Sequence, residues 1–140
     1  MSWFSDLYRS MVGKKAVMAI TGIILFGFVL VHMVANLKLY EGAYRSGEYA
    51  GRAYLDVYGE FLRRVGEPVL PAQGALWLVR IVLLAAVVLH IWTAWQVTRL
   101  SRQARPRGYA SRPKIHTTYA SRTMRWGGVI ILLFIVYHLL

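Results

Sequence analysis

Residues 16–37 read AVMAITGIILFGFVLVHMVANL, about 22 residues without a charge. A hydrocarbon layer about 30 Å thick is crossed by roughly 20 helical residues, so this stretch is long enough to span a bilayer. Its apolar run exceeds the core of a secretory signal, and no clean small-x-small cleavage site follows it. Residues 75–97 repeat the pattern as ALWLVRIVLLAAVVLHIWTAWQV. Their one charge, Arg80, lies near the start, where a long basic side chain can snorkel to the interface. A third stretch, MRWGGVIILLFIVYHLL at residues 124–140, is helical in character, but only about 15 residues remain from Trp126 onward, short for a crossing. The expectation is an all-α fold, a polytopic transmembrane helical bundle forming one domain over residues 1–140, with three spans of which the third is incomplete.

Composition agrees with that expectation. Of the 140 residues 57% are hydrophobic and 16% charged, and the net charge is +11. A basic, apolar chain fits either a nucleic-acid ligand or a membrane, and the distribution of charge separates the two. Residues 38–68 hold five basic and five acidic side chains, whereas Arg99 to Arg125 carries eight basic residues and no acid. The N-terminus adds Arg9, Lys14 and Lys15 against Asp6. Excess Lys and Arg remain on the cytoplasmic side of a membrane. The N-terminus and loop 98–123 are therefore expected inside and loop 38–74 outside. This topogenic and lipid-facing use of charge argues against nucleic-acid binding. The chain has no cysteine, which excludes disulfides, thiolate-held iron–sulfur clusters and cysteine-ligated zinc within it.

The loops have their own signals. Residues 41–64 carry an amphipathic pattern, expected as a surface helix with Tyr54, Val57, Phe61 and Leu62 on one side. Pro68 and Pro71 bracket a turn before the second span, and RPRGYASRP at 105–113 reads as a loop. Trp77, Trp92, Trp95 and Trp126 lie mainly near span ends, as an aromatic belt does.

Each apolar stretch contains one histidine: His32, His90 and His138. An ionisable side chain at membrane depth is costly and is normally partnered or functional. His32 lies 16 residues beyond Ala16 and His138 14 beyond Met124, so both stand roughly 21–24 Å from the inner edge. His90 lies 15 residues beyond Ala75 on an inward-running span, hence about 8 Å from that edge. Two imidazoles at one depth on two helices are what a bis-histidine haem requires, and a haem with both axial positions filled transfers electrons without binding substrate. Small residues near the ligands, Gly22, Gly27, Ala85 and Ala86, allow a flat macrocycle to approach the backbone, although ordinary helix packing uses the same residues. His116, in the basic loop, is read as a headgroup-level histidine and not a ligand.

AITGIILFGFVLVHMVANL, LHIWTAWQVTR and YASRTMRWGGVIILLFIVYHLL resemble the di-haem cytochrome b membrane-anchor subunit of bacterial succinate dehydrogenase and fumarate reductase, of the type with a single five-helix subunit. The resemblance covers almost the whole chain. It implies a multi-pass protein of the bacterial cell (inner) membrane with its N-terminus cytoplasmic. It implies anchoring of a flavoprotein and an iron–sulfur subunit on the cytoplasmic face, and passage of electrons from succinate through two b haems to a quinone, usually menaquinone. The chain is then an electron-transfer subunit and does not itself bind succinate. Four helices supply one axial histidine each: His32 and His138 would hold the outer haem, and His90 would be one ligand of the inner haem. The family continues through a fourth helix, which carries the partner of His90, and a fifth. The chain is accordingly expected to be a fragment cut inside its third span, in preference to a natural short form completed by another chain.

Further sites implied at this stage are Lys15, Ser121, Arg122 and Arg125 as contacts of haem propionates or lipid phosphates, and Glu60 or Glu67 as the acid of a quinone site. Readings from other classes are a di-haem anchor of a formate dehydrogenase or hydrogenase, a transporter relaying protons through membrane histidines, and a structural anchor without cofactor.

Overall fold

A computed structural model describes residues 3–104 and 119–140. The described residues are helical, without a strand beyond one isolated bridge between Ala43 and Ala53. The helices are α1 (Trp3–Arg9), α2 (Met11–Asn36), α3 (Tyr54–Arg64), α4 (Gly74–Gln103) and α5 (Tyr119–Leu139), with a 3-10 turn at Leu37–Glu41. Internal packing divides the chain into two compact units, residues 1–105 and 106–140.

In the first unit, Ser10 both ends α1 and begins α2. Its hydroxyl donates to the Leu7 carbonyl at 2.6 Å and accepts from the Gly13 amide at 2.9 Å, the side-chain cap that a helix N-terminus needs. Lys14 closes the corner. Its ammonium donates to the carbonyls of Arg9 (2.7 Å) and Tyr8 (3.1 Å), placing a cation on the negative end of α1. Gly13 is required there, because a Cβ would lie 2.0 Å from the Leu7 carbonyl oxygen. Lys14 belongs to the basic cluster read as topogenic, yet it is buried as a helix cap.

Two stretches, Met11–Glu41 and Gly74–Gln103, are long and apolar enough to cross a membrane, and Thr123–Leu139 is a shorter apolar helix. Only 6% of the most apolar window of each long stretch is buried. Neither is therefore packed like the core helix of a water-soluble domain, which hides its apolar surface.

α2 and α4 pack on each other. On α4 the covered stripe runs Leu83, Ala86, His90, Thr93, Val97 and Leu100, alternating steps of three and four as in helices packed at a shallow angle. Its tightest points are small: Thr93 is 0% exposed, Ala86 4%, and Thr21 on α2 5%. Small and hydroxyl residues let helix backbones approach closely. Beyond Leu25, α2 is exposed through Val34.

The helix expected over 41–64 is shorter, starting only at Tyr54. Residues 42–53 instead turn back on themselves, with the Tyr44 amide donating to the Arg52 carbonyl and the Gly51 amide to the Tyr44 carbonyl. Gly42 (φ 81°) and Gly51 (φ 82°) hold backbone conformations that side-chain-bearing residues rarely adopt and that a helix excludes. Tyr54, Val57 and Leu62 are half-buried as expected, but Phe61 is 61% exposed. The docked side is held by half-buried Tyr58, over whose ring the Lys38 ammonium lies 5.7 Å from the centroid.

The second span is longer than 75–97, since α4 continues to Gln103. The stripe extends through Val97 and Leu100, and Arg99 lies over Trp95 at 5.5 Å. α5 likewise starts at Tyr119, ahead of Met124. The inside loop expected at 98–123 is therefore shortened at both ends by helix. At the other end of α4, Arg80 lies over Trp77, 5.1 Å from the ring centroid, a cation–π contact next to the helix start.

Candidate functional site

His90 is the best-defined of the three histidines in the apolar helices. It sits mid-way along α4, half-buried against α2. Its Nδ1 lies 3.1 Å from the Met18 carbonyl oxygen and 3.1 Å from Thr21 Oγ1. A carbonyl only accepts, so the proton belongs on Nδ1. The Thr21 hydroxyl supports that tautomer, because its own hydrogen goes to the Val17 carbonyl at 2.8 Å and its lone pair faces the ring. In the neutral ring this tautomer leaves Nε2 without a proton, the form in which imidazole binds a metal. Gly22 completes the seat: a Cβ there would lie 3.3 Å from His90 Cε1 and 3.7 Å from Nδ1. Gly22, read as a neighbour of His32, is thus in contact with His90, while no described atom lies within 4 Å of a Cβ at Gly27. Ala86, one turn before His90, is buried as expected of a small residue at a close approach.

His32 lies on the exposed part of α2, stacked on Phe28 with ring centroids 5.2 Å apart and planes at 21°. Thr21, the level of His90, is 11 residues earlier on the same helix, about 16 Å along its axis. The two imidazoles of this unit therefore occupy two levels with the same separation as the depths of 24 Å and 8 Å read from the spans.

In the second unit, His138 is exposed near the end of α5 and stacks on Phe134, centroids 5.5 Å apart and planes at 17°. His32 and His138 thus share a Phe-x-x-x-His signature, FVLVH at 28–32 and FIVYH at 134–138, whereas His90 has Ala86 four residues before it. That distinction was available in the sequence and groups His32 with His138 by local environment.

The secondary candidates are dispersed. Lys15 is exposed on α2 and Arg125 on α5; the side chains of Ser121 and Arg122, and all of His116, lie outside the described residues. Glu67 is exposed in the turn after α3. Glu60 accepts a hydrogen bond and ion pair from Arg52. The Arg52 guanidinium, also 5.8 Å from the Tyr49 ring centroid, holds the Glu60 carboxyl below the usual carboxylate range, so Glu60 stays ionised through neutral and mildly acid pH. Among the described residues no three His, Asp or Glu side chains gather into a metal cluster. A haem needs only one axial nitrogen on each side, and the bare Nε2 of His90 fits that requirement.

The Arg52–Glu60 pair ties the 42–53 turn to α3, which leads to a test. Because the folded pKa of Glu60 is lowered, the pair contributes fully above the unfolded value of about 4.3, and its contribution is lost as pH falls through the lower folded pKa. Glu60→Gln is expected to increase amide exchange of Tyr44 and Gly51 at neutral pH. Wild type and variant should converge at acid pH once exchange is corrected for intrinsic rate. A constant gap between them across pH would refute this role.

The chain matches no protein-family model, no curated protein and no solved structure.

Proposed function

We propose that this chain is a haem-binding cytochrome b subunit of a succinate:quinone oxidoreductase, spanning a bacterial inner membrane with its N-terminus cytoplasmic. The observation that carries the haem reading is one imidazole in each apolar helix, with His90 and His32 about 16 Å apart along α2. The choice of succinate dehydrogenase or fumarate reductase rests on the resemblance of the three apolar stretches to that family's anchor subunit. In this reading α2, α4 and α5 are spans of a polytopic bundle. His32 and His138 hold the outer haem, and His90 holds the inner one with a partner imidazole from outside these residues. The shared Phe-x-x-x-His stacking supports pairing His32 with His138.

When bound, bis-histidine b haem supplies one-electron transfer between the iron–sulfur subunit and quinone. The chain's own residues hold the imidazoles in place and keep the path dry. α2 and α4 present apolar surface to lipid, and the buried Thr21, Ala86 and Thr93 exclude water from the helix contact beside His90. Glu60, locked to Arg52, is poorly suited to exchange a proton with quinone, which leaves Glu67 as the better candidate on the outer loop.

The test is a reduced-minus-oxidised visible spectrum of membranes containing the chain in its complex. Sharp α and Soret bands are expected, reducible by succinate. A colourless protein eliminates the haem reading. Bands reduced by formate or hydrogen but not by succinate transfer the chain to another respiratory complex.

A further inference from the structure

We propose that the Met18 carbonyl and the Thr21 hydroxyl form a positioning pair that sets the tautomer of His90 and its strength as an electron donor to iron. This deepens the haem reading above and rests on it for the metal, but not for the tautomer.

The inference comes from how a helix backbone is made to serve a side chain of its neighbour. Each carbonyl within an α-helix accepts one amide hydrogen four residues on, and its second lone pair is normally idle. At Met18 that second lone pair is reached by His90 from α4. The approach is possible because the residue one turn later is Gly22, where a Cβ would already lie 3.3 Å from the ring. Thr21 adds a second acceptor on the same side. Its hydroxyl hydrogen is committed to α2 carbonyls, 2.8 Å to Val17 and 3.1 Å to Met18, so toward His90 it can only accept. Three features within about one turn of α2, the Met18 carbonyl, the Thr21 hydroxyl and the missing side chain of Gly22, thereby converge on one imidazole ring.

The consequence is chemical. An imidazole whose Nδ1–H donates to two acceptors carries more electron density on Nε2, makes a stronger axial ligand and favours ferric over ferrous iron. His32 and His138 stack on phenylalanines of their own helices. The His90 level would thus be lower in potential than the same site lacking the pair.

Thr21→Val keeps the shape and removes the acceptor, and Thr21→Ser keeps the acceptor. Nitrogen-15 spectra of the imidazoles in the detergent-solubilised chain should show His90 protonated at Nδ1. They should show a tautomer mixture in Thr21→Val and the wild-type state again in Thr21→Ser. In haem-loaded membranes, Thr21→Val should raise the midpoint potential of one haem and weaken its retention about tenfold, leaving the other haem unchanged, with rescue by Thr21→Ser. A wild-type His90 protonated at Nε2 overturns the proposal, as does a Thr21→Val variant with unchanged tautomer and potentials, or one that shifts both haems alike. Wild-type membranes without haem bands would remove the proposed function while leaving the tautomer result to stand or fall separately.

Discussion

Under the proposed haem-binding function, His90→Ala is expected to eliminate one of two haem signals from membranes carrying the proposed complex, and His32→Ala and His138→Ala each to eliminate the other. Removal of an axial ligand deletes half of the iron's protein coordination, a far larger change than altering its surroundings. The division into two classes follows from levels. His90 packs on α2 beside Thr21, about 16 Å along the helix from His32, and a single macrocycle cannot take axial nitrogens from positions so separated along the helix. The checks are haem content per chain, falling from two to one in each variant, and the identity of the surviving α band. If His32→Ala and His90→Ala abolish the same band, the assignment by level is wrong. If His32→Ala and His138→Ala abolish different bands, the pairing of those two is wrong.

Gly22→Leu is expected to have the second largest effect. A Cβ at this position lies 3.3 Å from His90 Cε1, so even alanine requires the ring to yield by a few tenths of an ångström. Leucine adds three further carbons in the contact between α2 and α4, where the neighbouring Thr21 is buried. Over-packing of this kind costs about 1–3 kcal/mol. It also pushes the imidazole away from the Met18 carbonyl. A lower melting temperature of the solubilised chain and loss of the His90-level haem are the expected readouts, with Gly22→Ala intermediate. A Gly22→Leu protein that melts like wild type and retains both haems would show that the helices do not pack through this point.

Much of this was legible in residue order alone because it depends on local composition. The apolar runs over 16–37, without a charge, and 75–97, with Arg80 alone, become helices wherever they fold, since a long apolar segment must satisfy its own backbone hydrogen bonds. The positions of His32, His90 and His138 within those runs, and hence their levels, follow from helical rise. The Phe-x-x-x-His signature of His32 and His138 is likewise visible in residue order. Local reading failed where two conformations compete for similar composition. Residues 41–53 carry helix-compatible side chains, and the outcome was decided by Gly42 and Gly51 at positive φ. Residues 98–103 are polar enough for a loop, but α4 runs on through them to Gln103, with Val97 and Leu100 half-buried.

Residue order by itself determined an all-helical chain with two segments able to cross a membrane and one histidine in each apolar run. Only the tertiary structure decided what those side chains meet. The partners of His90 are 72 and 69 residues away at Met18 and Thr21, and Lys14 is a buried helix cap where a neighbouring lysine is exposed. Both outcomes arise from helices brought together in space. Periodicity specifies which face a residue occupies, but a hydrogen bond between two helices depends on their relative axial position, which is set by the packing of small residues at Thr21, Gly22, Ala86 and Thr93 and is written in no single segment.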